Sequence, residues 1–92
     1  MANNILRDKS YILALEIIKT YRNLSINKKE YVLSKQLLRS GTSIGANVEE
    51  SIGGQSEKDF YSKLSIAYKE ARETNYWIRL LKDSNLLEKN ES

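Results

Sequence analysis

Four carboxylates lie close enough in sequence to suggest one kind of chemistry: Glu49 and Glu50 in one helical stretch, Glu70 and Glu73 in the next. Inward-facing glutamates on neighbouring helices hold two metal ions in carboxylate bundles, but those sites complete their ligand set with Glu-x-x-His pairs. The chain contains neither histidine nor cysteine. Zinc sites in practice need one or the other, and most acid–base or nucleophilic catalysis at neutral pH leans on them. What remains is a hard cation held by oxygens alone. The expectation is a non-enzymatic protein with no catalytic residue, no metal site and no cofactor. In it Glu70 and Glu73 pair with Lys69, Arg72 or a basic residue of the preceding helix.

A second constellation is polar rather than catalytic. Arg39, Ser43, Asn47 and Glu50 are spaced by four, four and three, which puts them on one helical face beside an apolar stripe. With Glu70 and Glu73 they can form a satisfied network that fixes helix register, since buried polar groups need partners. The functional alternative is a polar pocket that holds a phosphate or a partner group. A third set is basic: Lys19, Arg22, Lys28, Lys29 and Lys35, interleaved with Tyr21 and Tyr31. Residues 1–48 carry eight Lys or Arg against Asp8, Glu16 and Glu30, a net of +5, whereas residues 49–92 carry seven against nine acids, a net of −2. That asymmetry fits a polyanion-binding face, complementary subunits, or simply solvated helix surfaces. No helix-turn-helix, zinc-finger or RNA-binding signature accompanies it.

The elements that must position these residues are helical. A chain of 92 residues with no proline and four glycines lacks the turn chemistry of an all-β domain. Its Leu, Ile, Glu, Lys and Arg-rich stretches favour one all-α domain. The first helix is expected over about 8–24, where Ala14, Ile17, Ile18, Tyr21 and Leu24 recur at helical spacing. The second is expected over 28–52, opened by a capping pair of Asn27 and Glu30 and closed by left-handed Gly53-Gly54. It carries two apolar stripes, Leu33, Leu37, Gly41, Ile44, Val48 and Ile52 on one side and Tyr31, Leu38 and Gly45 on another, and so should sit centrally. The third is expected over 57–84, capped by Ser56 and Asp59, with a heptad-like seam of Phe60, Leu64, Ala67, Ala71, Thr74, Ile78 and Leu81. Residues 86–92 read as a tail or the start of a fourth helix.

The second helix holds the most telling run, LLRSGTSIGANVEESI, in which Ser40, Gly41, Ser43, Gly45 and Ala46 crowd into two turns. Glycine costs about 1 kcal/mol relative to alanine inside a helix, and a close helix-to-helix approach would offset it. Gly41, Ile44 and Gly45 on this face, and Phe60, Tyr76 and Trp77 on the next helix, are the two candidate packing or contact surfaces. A domain this small buries only about 60 to 65% of its unfolded surface, so unmet apolar area and homo-oligomerisation are expected. No stretch has the roughly 18 apolar residues of a membrane span, and the N-terminus lacks the apolar run of a signal peptide. A cytoplasmic protein without membrane contact is the expectation.

The motifs RSGTSIGANVEES and QSEKDFYSKLSIAYKEARETNYWIRLL resemble the bacterial four helix bundle protein family, also called the 23S ribosomal RNA intervening-sequence protein family. The resemblance covers about Leu37 to Leu81, with a weaker fit over Ile5 to Tyr21. Arg39, Ser43, Ala46, Asn47, Glu50, Ser56, Asp59, Phe60, Lys63, Ala67, Glu70, Glu73, Tyr76 and Trp77 fall in register with it. It implies an antiparallel up-and-down four-helix bundle that assembles as a ring, commonly a pentamer, and no established activity. A more distant likeness is to the accessory subunit of diversity-generating retroelements, a pentameric bundle that binds a reverse transcriptase and nucleic acid. The departure is the fourth helix, which is largely missing from this chain and leaves a groove for a partner to fill. The functional expectation is a homo-oligomeric assembly or interaction scaffold, its partners being further copies of itself or another protein. The alternative is an RNA- or DNA-binding accessory factor that uses a basic surface on a ring.

Overall fold

The computed structural model describes residues 2–88, and no strand occurs among them. Three helices make up most of the chain: α1 (Ala2–Arg22), α2 (Leu33–Ile52) and α3 (Glu57–Asp83). Gly41 meets Ile17 while Gly45 meets Ser10, so α1 and α2 run in opposite directions. Ser40 bonds Thr74 and Glu50 pairs with Lys63, so α2 and α3 do the same. The second helix is the central one: α1 and α3 each pack along it and share no comparable interface. The result is a rod of 43 × 20 × 19 Å.

The core gathers at one end of the rod. Ile17 and Leu24 of the first helical segment, Leu37 of α2, Leu81 of α3 and Leu87 beyond it form the buried cluster. Leu13, Leu33, Leu38, Trp77, Ile78 and Leu86 pack around it. Toward the other end the buried side chains are smaller, Ile44, Val48 and Ala67 with Ser10 and Ser51, so the backbones lie close there. Gly41 sets that spacing: a Cβ built on it would stand 2.7 Å from Ile17 Cγ1 and 2.8 Å from Cγ2. Gly41 is therefore used inside the chain, against α1, and Ser40 against α3, while Gly45 meets Ser10 at an ordinary distance and Ile44 is buried.

Several boundaries differ from those expected, each for a local reason. α1 starts at Ala2 rather than residue 8, because nothing ahead of Asp8 breaks the helix. At its other end it continues into a π turn over Asn23–Asn27, closed by Lys28 N–H donating to Asn23 O at 3.2 Å. Lys29 then takes φ 55°, which ends the helix. α2 consequently begins at Leu33, not residue 28, and Tyr31 lies outside it and exposed. The capping pair of Asn27 and Glu30 does not form. Asn27 Nδ2 donates to Asn23 Oδ1, while Glu30 alone caps α2 by accepting from the backbone N–H groups of Val32, Leu33 and Ser34 at 3.1, 2.9 and 2.7 Å. Gly53-Gly54 closes α2 without any left-handed residue, Gly53 having φ −85°. Ser56 does cap α3, its hydroxyl accepting from Asp59 N–H at 3.1 Å. α3 ends at Asp83, one residue short of the expected end. Asn85 at φ 66° then turns the chain so that Leu86 and Leu87 N–H both reach Leu81 O and Leu87 closes the core. Of residues 86–92, expected as a tail or the start of a fourth helix, 86–88 are not helical and 89–92 lie outside the described residues.

Candidate functional site

The polar line along α2 does not act as one network; it divides among three partners. Arg39, near the middle of α2, reaches across to α3, where its guanidinium meets Glu70 Oε1 at 3.4 Å and pairs with Glu73. Glu73 also accepts from Trp77 Nε1 at 2.9 Å, tying the indole to the same cluster. Thus a basic residue of α2, and not Lys69 or Arg72, partners the two glutamates. Ser43 and Asn47 make only a bond between themselves, Asn47 Nδ2 donating to the Ser43 carbonyl at 2.9 Å. Glu50 pairs with Lys63 Nζ at 2.8 Å, and that hydrogen bond together with the Glu50 charge holds the Lys63 ammonium above its ordinary range. Arg39 is half exposed, so the cluster is a solvated clamp between α2 and α3, not a buried pocket. Deeper in the same interface the Ser40 and Thr74 hydroxyls lie 2.9 Å apart, both buried. Sequence spacing alone does not flag that pair. Thr74 appears there only as a member of an apolar seam, while Ala71 of the same seam is exposed.

Glu49 and Glu50, expected alongside Glu70 and Glu73 in any carboxylate centre, stay apart from them. Glu49 lies 3.9 Å from Arg7 of α1 and Glu50 is held by Lys63. Among the described residues no group of carboxylates is arranged to hold a metal ion. The basic residues Lys19, Arg22, Lys28, Lys29 and Lys35 all sit in or beside the connection from α1 to α2 and are exposed. Lys28 is committed to structure, since its ammonium donates to the Leu86 carbonyl and ties the tail to the turn. In the middle of this basic stretch Glu30 is drawn onto the α2 N-terminus. Partial burial works to raise its carboxyl, but the N–H groups of Leu33, Ser34 and Val32 outweigh that and hold it below its ordinary value.

The chain's largest unmet demand is apolar. On the outward side of α1, Ile5, Tyr11, Ile12 and Leu15 are 61, 65, 60 and 51% exposed, at spacings that keep them on one face. Beside them an open cleft of about 740 Å³ runs between α1 and α2, with Tyr11, Ile12 and Ala14 on one wall and Thr42, Gly45 and Ala46 on the other. Of the residues expected to make contacts on α3, Phe60 and Trp77 are half-buried within the chain, while Tyr76 is exposed and packs edge-on to Trp77 with ring centroids 5.1 Å apart. No described helix is long and apolar enough to cross a membrane.

A family model for the 23S rRNA-intervening sequence protein matches residues 2–92. The chain belongs to this family. A crystal structure of a protein of unknown function from the S23 ribosomal protein family of Bacteroides thetaiotaomicron is similar to it, with 48% identity and a TM-score of 0.95. The similarity covers 97% of this chain and 80% of that one. No curated protein matches. The similar Bacteroides thetaiotaomicron protein is itself of unknown function, so membership in the family brings no activity with it.

Proposed function

We propose that this protein is a non-enzymatic, homo-oligomeric assembly module of the four-helix-bundle type, whose copies join through the outward face of α1. The observation that carries the reading is the exposed row Ile5, Tyr11, Ile12 and Leu15 beside the cleft between α1 and α2. A ridge of large apolar side chains next to a concave, mainly apolar wall can both offer and accept packing, which is what a second copy of the same chain requires. The surface area agrees. The chain exposes 6437 Å², whereas a compact monomer of its mass exposes about 5,500 Å². Among the described residues more large hydrophobics are exposed than buried, so the isolated chain leaves unburied much of what an assembly could cover. Because α1 and α3 share no comparable interface, a fourth helix set between them would complete the bundle. The family resemblance supports a ring of five copies inside the cell. The test is the paired substitution Ile12→Glu with Leu15→Glu. Both side chains point outward, so the variant should keep its helical circular dichroism and sediment as a single chain. A variant that sediments like the wild-type protein would show that α1 is not the joining surface.

A further inference from the structure

The outward face of α3 carries a different pattern, apart from the row on α1 proposed to join the copies. Lys58, Tyr61, Ser65, Tyr68, Arg72, Tyr76 and Arg79 follow at steps of three, four, three, four, four and three, which aligns them along one side of the helix. At 1.5 Å per residue the row extends about 32 Å. Its rings stand in solvent, Tyr61, Tyr68 and Tyr76 being 61, 64 and 47% exposed. Arg72 lies 6.0 Å over the Tyr68 ring and Arg79 lies 6.0 Å over the Tyr76 ring, so each guanidinium is held next to an aromatic face. Between Asp59 and Asp83 the acids of α3 are Glu70 and Glu73, and Arg39 draws both round to the α2 side. Lys63 is likewise engaged away from the row, with Glu50. What is left outward is aromatic and cationic, with Lys69 beside the row. Among the described residues no ion pair engages Lys58, Lys69, Arg72 or Arg79.

We infer that this face of α3 binds a single strand of nucleic acid. The phosphates would lie along Lys58, Lys69, Arg72 and Arg79, and unpaired bases would stack on Tyr61, Tyr68 and Tyr76. A tyrosine flanked by guanidinium groups stacks on any base through its π-face, and the cations track the backbone without reading sequence. The charge suits a polyanion. The exposed rings distinguish a single strand from a duplex, whose bases are already stacked. This surface is separate from the basic turn at Lys28, Lys29 and Lys35, and it exists on one copy whether or not the copies assemble.

The experiment is fluorescence anisotropy with the whole chain and a labelled deoxythymidine homopolymer of about 20 nucleotides, with a duplex of the same length as control. Four phosphates neutralised on a single strand give a log–log salt slope near −3, so affinity should fall about 50-fold between 50 and 200 mM salt. Arg72→Gln with Arg79→Gln should reduce that slope by about 1.4. Tyr68→Ala with Tyr76→Ala should weaken binding at least about fivefold at constant salt, while Tyr68→Phe with Tyr76→Phe should preserve it. The proposal is overturned by absence of binding at 50 mM salt, or by binding that ignores the tyrosine-to-alanine change. It is overturned equally if that change lowers the mass of the assembly, which would make the face a contact between copies.

Discussion

Two glycines in one helix should answer the same substitution in opposite ways. In Gly45→Ala the new Cβ would stand 3.4 Å from the Ser10 carbonyl oxygen, an ordinary contact. The change should therefore deliver most of the helix-propensity gain of about 1 kcal/mol. In Gly41→Ala the new Cβ would stand 2.7, 2.8 and 3.0 Å from three atoms of Ile17 at once. Ile17 is buried in the core and β-branched on a helix, so its χ1 has almost one choice and the side chain cannot swing away. Overpacking of this kind costs about 1 to 3 kcal/mol, which cancels or exceeds the propensity gain. The two variants should thus differ by about 1 to 3 kcal/mol in urea denaturation at fixed protein concentration, with Gly45→Ala the more stable. For a domain of this size that is a separation in Tm of at least about 4 °C. A cycle adding Ile17→Ala locates the clash, because the truncation should cost less in the Gly41→Ala background than in the wild type. Equal stability of the two alanine variants would refute the close approach of α1 and α2 as the reason for Gly41.

Three further outcomes follow from named contacts. Glu30→Gln should cost about 1 kcal/mol near neutral pH through loss of the charged cap on α2. Because the folded carboxyl is held below its ordinary value of 4.5, that contribution is complete above about pH 5 and disappears as pH falls through the folded-state value, so the stabilities of the two proteins should converge in urea melts as the pH is lowered through it. Thr74→Val should cost about 1 to 2 kcal/mol in the same assay, because it leaves the buried Ser40 hydroxyl with only a 3.5 Å contact to the Leu37 carbonyl. Ser40→Ala should cost less, since Thr74 keeps its 2.8 Å bond to the Glu70 carbonyl. Arg39→Met should change stability by less than about 1 kcal/mol, an effect that shrinks further in high salt, because the clamp it makes with Glu70 and Glu73 is solvated.

The parts of the fold that local chemistry dictates could be read from the residues. Helical periodicity placed three helices, Ser56 marked the start of α3, and the two-sided apolar pattern of α2 put it in the centre. The connection from α1 to α2 was not legible, because the residue types over Asn23–Asn27 and Lys29 do not dictate a π turn or a left-handed backbone. Glu30 has the same appearance as a partner in a capping box and as a sole cap, and only the path of the chain separates the two. The polar line on α2 misled for a related reason: shared spacing puts Arg39, Ser43, Asn47 and Glu50 on one face, but each is claimed by whatever stands opposite it on α3 or along its own helix. Small residues could be read as a close approach without revealing whether it lay within or between chains, and Ile17 over Gly41 places it within. The tyrosine and arginine row of α3 was not among the surfaces expected from the sequence, although its spacing is regular. What spacing alone could not show is that Arg39 removes the neighbouring acids from that face.

The mass of the protein in solution tests the proposed assembly most directly. Light scattering on the purified chain at micromolar concentration, across a tenfold dilution, should give a multiple of 10.6 kDa, with about five copies expected. A mass of 10.6 kDa throughout would mean that the exposed row on α1 serves no second copy, and the proposed assembly would have to be abandoned.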